Sequence, residues 1–150
     1  MSAFFVDTSA IAKRYLNELG SDWVVSWTLA GAGNLIAISE LTIIELFSAF
    51  ARRVREGNLP LNRADALRSN FLLHVESEYL VVKLEKQVLA QARNFVTQYP
   101  LRTLDAIQLA SAKQTLTMLD EQVTFVSADS NLLVVAAAEG FKIDNPNLHP

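Results

Sequence analysis

Four acidic residues occupy positions where a fold could make them a site. Asp7 ends the short apolar run Ala3 to Val6 and leads through Thr8 and Ser9 into the helical-looking Ala10-Ile11-Ala12-Lys13-Arg14-Tyr15-Leu16. Asp129 follows Val123-Thr124-Phe125-Val126 in the same manner, with Ser127 as its hydroxyl neighbour. An acid at the carboxyl end of a buried parallel strand lies where open α/β sheets place their ligands. Asp105 falls within Leu104-Asp105-Ala106-Ile107-Gln108-Leu109-Ala110, a stretch apolar almost all round and expected to be buried. A buried Asp is rare unless it is paired or binds a metal. Glu45 projects from the helical run that follows a second apolar segment, Leu35 to Ile38.

Each acid also has a blander account. Asp7 can be a helix N-cap, unless Thr8 or Ser9 takes that role. Asp105 suits the first turn of a helix capped by Thr103, where the dipole favours negative charge. Glu45 completes a capping box, Thr42-Ile43-Ile44-Glu45, unless Ser39 is the cap. Convergence separates the two accounts. Carboxylates gathered at one sheet edge repel one another, and some must take up protons unless a cation lies among them. One or two divalent cations held by such acids activate water and stabilise the leaving oxygen in phosphodiester cleavage. Asp7, Glu45, Asp105 and Asp129 are therefore candidate metal ligands and catalytic residues. The chain has no cysteine and only two histidines, His74 and His149, which excludes thiolate and histidine-rich centres. Oxygen donors favour Mg²⁺ or Mn²⁺. Ser9 and Ser127 have no neighbouring base, and no G-x-S-x-G elbow, P-loop or G-x-G-x-x-G fingerprint is present.

The elements that must position these acids alternate. Strands are expected at Ala3–Val6, Leu35–Ile38, Tyr79–Val82, Val123–Val126 and Phe141–Ile143. Helices are expected from Ala10, over Gly20–Leu29, Leu41–Glu56, about Asn62 to Glu76, Glu85–Tyr99 and Leu104 to about Leu119, and from Asp129 through Glu139. Glycines 31, 33, 57 and 140 and prolines 60 and 100 punctuate them. On the third helix Ile43, Phe47, Phe50 and Val54 share one face, while Glu45, Ser48, Ala49 and Arg52 share another. Alternating strands and helices point to one α/β domain over residues 1–150, with a central, mainly parallel sheet and helices on both faces.

With 51% apolar and 19% charged residues among 150, the chain has a real core to bury. No apolar run reaches the roughly 18 residues of a membrane span. Met1-Ser2-Ala3-Phe4 lacks the basic start of a secretory signal, so a cytoplasmic location is expected. The net charge of −3 argues against a broad electrostatic binder of nucleic acid. It does not exclude a nuclease, because acidic ligands lower the net charge and bound cations reverse the local field.

Taken in order, Asp7-Thr8-Ser9-Ala10, Thr42-x-x-Glu45, Leu101-Arg102-Thr103-Leu104-Asp105-Ala106, Phe125-Val126-Ser127-Ala128-Asp129 and the ending Ala136-x-x-x-Gly140-Phe141 with Asn145-Pro146 resemble the successive motifs of PIN-domain ribonucleases. The VapC-like toxins of toxin–antitoxin pairs are the most similar. The resemblance implies a sheet of order 3-2-1-4-5 and RNA cleavage dependent on Mg²⁺ or Mn²⁺, with one or two ions per site. By position it makes Asp7, Glu45 and Asp105 the core metal-binding acids and Asp129 the fourth. Thr8 or Ser9 and Ser127 become supporting hydroxyls, Ser127 standing where the family often has Thr. Glu40 lies near Glu45 but does not match the motif. Also implied are a homodimer, for which faces around Trp23, Trp27 and Phe50 are candidates unless these residues belong to the core, and a small antitoxin that covers the acid cleft with a basic side chain. Candidate RNA contacts are Lys13, Arg14, Arg52, Arg53 and Arg55, which otherwise form solvated helix faces, and Arg102, which otherwise pairs with an acid. The alternative is a non-catalytic PIN-fold module that binds RNA or protein. An aspartyl phosphatase would want Asp-x-Asp where Ser9 stands, and a structure-specific DNA nuclease would want more acids and a helical clamp.

Overall fold

Four short runs rich in Val, Ile, Leu and Phe are apolar too continuously to leave one face in water, and they become strands covered by helices; a fifth, Lys142–Asp144, adds a short and largely exposed edge strand. In the computed structural model, which describes residues 1–150, these are β1 (Ala3–Val6), β2 (Leu35–Ser39), β3 (Leu80–Val82), β4 (Val123–Val126) and β5 (Lys142–Asp144). Their order is β3-β2-β1-β4-β5, and every pairing is parallel. The sheet is thus wholly parallel, where the sequence suggested only mainly so. Parallel neighbours need crossovers. These are supplied by α1 (Thr8–Tyr15), α2 (Ser21–Thr28), α3 (Glu40–Arg55), α4 (Leu61–Ser77), α5 (Lys86–Gln98), α6 (Thr103–Leu119) and α7 (Ser130–Ala138). No helix is long and apolar enough to cross a membrane.

Alternation along the strands sorts the core into two layers. Phe5, Ala37, Val123 and Phe125 pack against Val88 and Phe95 of α5, Leu109 of α6 and Leu132 of α7. Val6, Ile36, Ile38 and Val126 face the other way, onto Ile11, Trp27, Leu46, Phe50 and Phe71 of α1 to α4. Trp27 and Phe50 are only 8% and 0% exposed. They are core residues and cannot form the subunit face considered from sequence, because their rings fill the layer under β1 and β2. Trp23 is half-buried and lies beneath the His149 ring, with centroids 4.0 Å apart.

β1 is central, with β2 on one side and β4 on the other, so the chain leaves β1 and β4 at a switch point where a crevice opens. The register pairs Phe5 with both Ala37 and Phe125, which brings the carboxyl ends of β1, β2 and β4 level.

Arg14 does not reach this crevice, contrary to its expected role in RNA contact. Its guanidinium donates to Glu78 at 3.0 Å and to the Tyr79 hydroxyl at 2.8 Å. An Arg nitrogen can only donate, so His74 Nε2, 3.4 Å from Arg14 Nη2, is unprotonated and Nδ1 carries the ring proton. Nδ1 then donates to the Tyr15 hydroxyl at 2.7 Å, which donates to that of Tyr79 at 2.6 Å. Burial and the charge of Arg14 hold His74 below the ordinary histidine range, against the pull of Glu78. The unfolded chain therefore binds this proton more readily than the folded one. Stability contributed here is present above about pH 6.5 and is lost as the pH falls. Urea midpoints measured at pH 7.5 and 5.5 are expected to drop more for the wild type than for His74→Gln; equal drops would contradict this reading.

Candidate active site

Asp7 leaves β1 and is itself the N-cap of α1, accepting the Ala10 N–H at 3.1 Å, so neither Thr8 nor Ser9 takes that role. Capping and site residue are here the same group. Ser9 Oγ donates to Asp7 Oδ1 at 2.7 Å and Ser127 Oγ donates to Oδ2 at 2.6 Å. The two hydroxyls are in turn fixed by backbone N–H groups of the turn after β4, Ala128 to Ser9 and Asp129 to Ser127. Both hydroxyl protons therefore point at the carboxylate. Even so, burial drives the Asp7 carboxyl up to about 6, with the charge of Asp105 adding to the rise. A carboxylate this costly to ionise is what a nearby cation would relieve.

Glu45 stands in the second turn of α3, whose N-cap is Ser39, its Oγ accepting from the Leu41 N–H. No capping box forms at Thr42, which is buried inside the helix. Thr8 donates its single hydroxyl proton to Glu45 Oε1 at 2.7 Å. The 2.9 Å contact between Thr8 and Thr42 must therefore run from Thr42 to Thr8. Gln108 Nε2 completes the cluster, 3.0 Å from both Thr42 Oγ1 and Glu45 Oε1 and 3.2 Å from Thr8 Oγ1. Only 3% exposed, Gln108 is the residue the sequence reading missed. Its signal was a lone amide in an apolar helix, one turn beyond Asp105 and on the same face.

Asp105 sits in the first turn of α6, which begins at Thr103 after Arg102 without a side-chain cap. The expected Thr103 cap is absent because Thr103 is already helical. Asp105 is half-buried, its side chain 27% exposed, and not enclosed as its apolar neighbours suggested. The helix turns its apolar faces to the sheet and to α5 and leaves the first turn at the crevice. Burial and the charge of Asp129 push the Asp105 carboxyl above its ordinary value; Arg102, 3.7 Å away, opposes this and Glu45 adds to it. Asp129 caps α7, its Oδ1 accepting from Asn131 and Leu132 N–H groups at 2.9 and 3.3 Å. Glu40 points elsewhere and receives the Leu84 N–H at 3.0 Å.

The four acids thus come from β1, α3, α6 and the β4–α7 turn to one edge of the sheet. Glu45, Asp105 and Asp129 each keep one carboxylate oxygen without a hydrogen-bond partner in the protein. No three of the acids or histidines close on a common point as the side chains stand. Such a cage is not needed for Mg²⁺, which keeps several waters and is held by one or two carboxylates together with substrate phosphates. All-oxygen donors, spare carboxylate oxygens and carboxyls strained by burial and mutual charge fit a hard divalent cation. Beside the acids runs a cleft of about 770 Å³ between α1 and α3, lined by Thr8, Ser9, Lys13, Glu45, Ser48, Arg52 and Arg53 among others. Glu45, Ser48, Ala49 and Arg52 share its wall, as the face of α3 read from sequence required.

The fold is that of a PIN domain. The PIN domain family matches residues 4–138, and the chain belongs to it. Over 144 residues it is 30% identical to the protein named Ribonuclease VapC47 of Mycobacterium tuberculosis (strain CDC 1551 / Oshkosh), covering 95% of this chain and 96% of the relative. Among solved structures, PAE2754 from Pyrobaculum aerophilum superposes with a TM-score of 0.64 at 22% identity, over 99% of this chain and 92% of that one. A toxin–antitoxin complex from Klebsiella pneumoniae gives 0.63 at 12% identity, over 96% and 98% of the two chains. FitAcB from Neisseria gonorrhoeae gives 0.63 at 16%, over 95% and 97%. These structures share the fold, and the strand order expected from the motifs is the one found in this chain.

Proposed function

We infer that this chain is a ribonuclease toxin, a single-domain Mg²⁺- or Mn²⁺-dependent endoribonuclease neutralised by a cognate antitoxin. The observation that supports the reading is the placement of Asp7, Glu45, Asp105 and Asp129 along the carboxyl edge of the sheet, near enough for their charges to act on Asp7 and Asp105, beside an open cleft. Membership of the PIN family and likeness to a protein named as a VapC ribonuclease support it. The antitoxin rests on the likeness to a toxin–antitoxin complex.

The acids would hold one or two cations. Bound there, a divalent cation lowers the pKa of an attacking water and offsets charge that develops on the scissile phosphate. The chain's own residues do the rest. Ser9 and Ser127 keep Asp7 ionised and aimed, since neither hydroxyl has another acceptor at comparable distance. Thr8 and Gln108 fix one oxygen of Glu45 and leave the other toward the cleft. Leu104, Ala128 and Ile44 supply apolar walls that restrict water around the reacting phosphate. A homodimer would use a face other than Trp27 and Phe50, and the exposed Leu89 and Val96 of α5 are one apolar candidate.

The test is incubation of the purified protein with a labelled tRNA pool and single-stranded RNAs in Mn²⁺, Mg²⁺ or EDTA, beside Asp105→Asn. Discrete cuts are expected with either metal and none with EDTA, and at least about a hundredfold less cutting by the variant. A folded wild-type protein that leaves every RNA intact in both metals would overturn the reading.

A further inference from the structure

The cleft that runs beside the acids has Glu45 toward one end and is basic at the other. Glu45 and Arg52 lie on the same wall of α3, seven residues and therefore about 10 Å apart. Arg53 stands beside Arg52, and Lys13 of α1 faces them. Lys13 is the unusual residue: its side chain is only 6% exposed, yet its ammonium makes no hydrogen bond to the protein. Its sole partner is Glu18 at 3.8 Å, and Glu18 is already engaged by Arg53 at 2.7 Å. The Lys13 stem is buried while the residue lines the cleft, so the three donors of the ammonium are free for an anionic ligand there. Arg52 is exposed and joins none of the ion pairs. Three cations thus line this end of the cleft, and only two of them, Lys13 and Arg53, share the Glu18 carboxylate, in a chain whose net charge is −3.

An acid-lined cleft on its own would repel a polyanion. Cations a short way along the same wall offset that repulsion and draw the strand in one direction. We propose that Lys13, Arg52 and Arg53 form a phosphate subsite that holds the RNA backbone within about three nucleotides of the bond to be cut, at roughly 3.4 Å of rise per nucleotide. Glu18 is the internal counter-charge that gives way to the phosphate. This rests on the ribonuclease reading for the position of the scissile bond, but not for the subsite itself. An acidic peptide would satisfy the same charges. One continuous strand explains both ends of the cleft at once, and a peptide explains only the basic end.

The test uses a fluorescein-labelled single-stranded RNA and anisotropy in EDTA over a range of salt, with Asp105→Asn as the uncut background. Adding Arg52→Gln is expected to weaken binding several-fold and to lower the slope of log affinity against log salt by about one. Lys13→Gln acts in the same direction, and Arg52→Lys restores most of the loss. Glu18→Gln tightens binding, which no merely structural role for the ion pairs would produce. In the otherwise wild-type enzyme Arg52→Gln raises KM and leaves kcat within twofold. Unchanged affinity and salt slope in both Arg52→Gln and Glu18→Gln would overturn the subsite even if the enzyme cuts RNA normally. So would a loss confined to polyglutamate binding, which would assign the basic end to a protein partner. An Arg52-dependent affinity in a protein that cuts nothing would instead retain the subsite and remove the ribonuclease reading.

Discussion

Asp7→Asn is expected to raise the melting temperature of the metal-free protein by several degrees at pH 7 while removing its nuclease activity. The carboxyl of Asp7 is held up to about 6 by burial, well above its unfolded value near 3.8. The folded state therefore binds this proton more tightly than the unfolded one. Stability from this group is fully present below about pH 4 and is lost as the pH rises through about 6. At neutral pH the ionised group costs at most about 3 kcal/mol. An amide of the same shape escapes that cost. It gives back about 1 kcal/mol, because one of the two serine hydroxyls loses its acceptor and must turn. For a chain of this length the remainder amounts to several degrees. Saturating Mn²⁺ reverses the order, since it stabilises only the protein that binds it. Melting curves with EDTA and with Mn²⁺, read beside RNA cleavage, check all three statements. A variant that melts lower in EDTA and still gains the full Mn²⁺ shift would show that Asp7 is a cap and nothing more.

That prediction was within reach of the sequence only in part. The alternation of short apolar runs with periodic helices specified a parallel α/β sheet, because a strand apolar at every position must be covered on both faces. Asp7 and Asp129 were legible as candidate site residues because both follow such strands. Two kinds of information were hidden. The first is which of several adjacent hydroxyls and acids caps a helix: Asp7 was chosen over Thr8 and Ser9, and Thr103 was passed over, through tertiary bonds that no local pattern contains. The second is whether a cation faces the cleft or the core. Lys13 and Arg14 are neighbours in sequence and differ by one helical step, yet one lines the cleft and the other is tied to Glu78 and Tyr79. Helical periodicity alone would have separated them only if the partners in α4 and β3 had been known. Asp105 was judged buried from its neighbours, and the helix instead leaves its first turn open at the crevice.

Gln108→Glu is expected to unfold much of the metal-free protein at pH 7 and to recover on acidification. The change keeps shape and volume but replaces the donor that lies 3.0 Å from Glu45 with a second carboxylate, at a position only 3% exposed. Two carboxylates so placed cannot both ionise, and one must hold a proton. Leaving both charged costs several kcal/mol, a large share of the stability of any domain. Since the proton is bound only in the folded state, the loss deepens as the pH rises above the unfolded value near 4.3 and fades as it falls. Gln108→Met separates charge from positioning. It keeps the volume and also removes the Gln108 carbonyl oxygen, which is buried without a partner, so stability stays within about 1.5 kcal/mol of the wild type. It also frees Glu45 and Thr42 from their shared donor, and RNA cleavage is expected to fall about tenfold to a hundredfold, as for other groups that orient a ligand carboxylate. Urea midpoints across pH for the Glu variant and kcat for the Met variant decide the matter. A Glu variant as stable as the wild type at pH 7 would mean that the amide does not donate to Glu45. An unchanged kcat in the Met variant would mean that α6 contributes Asp105 to the site and nothing to the aim of Glu45.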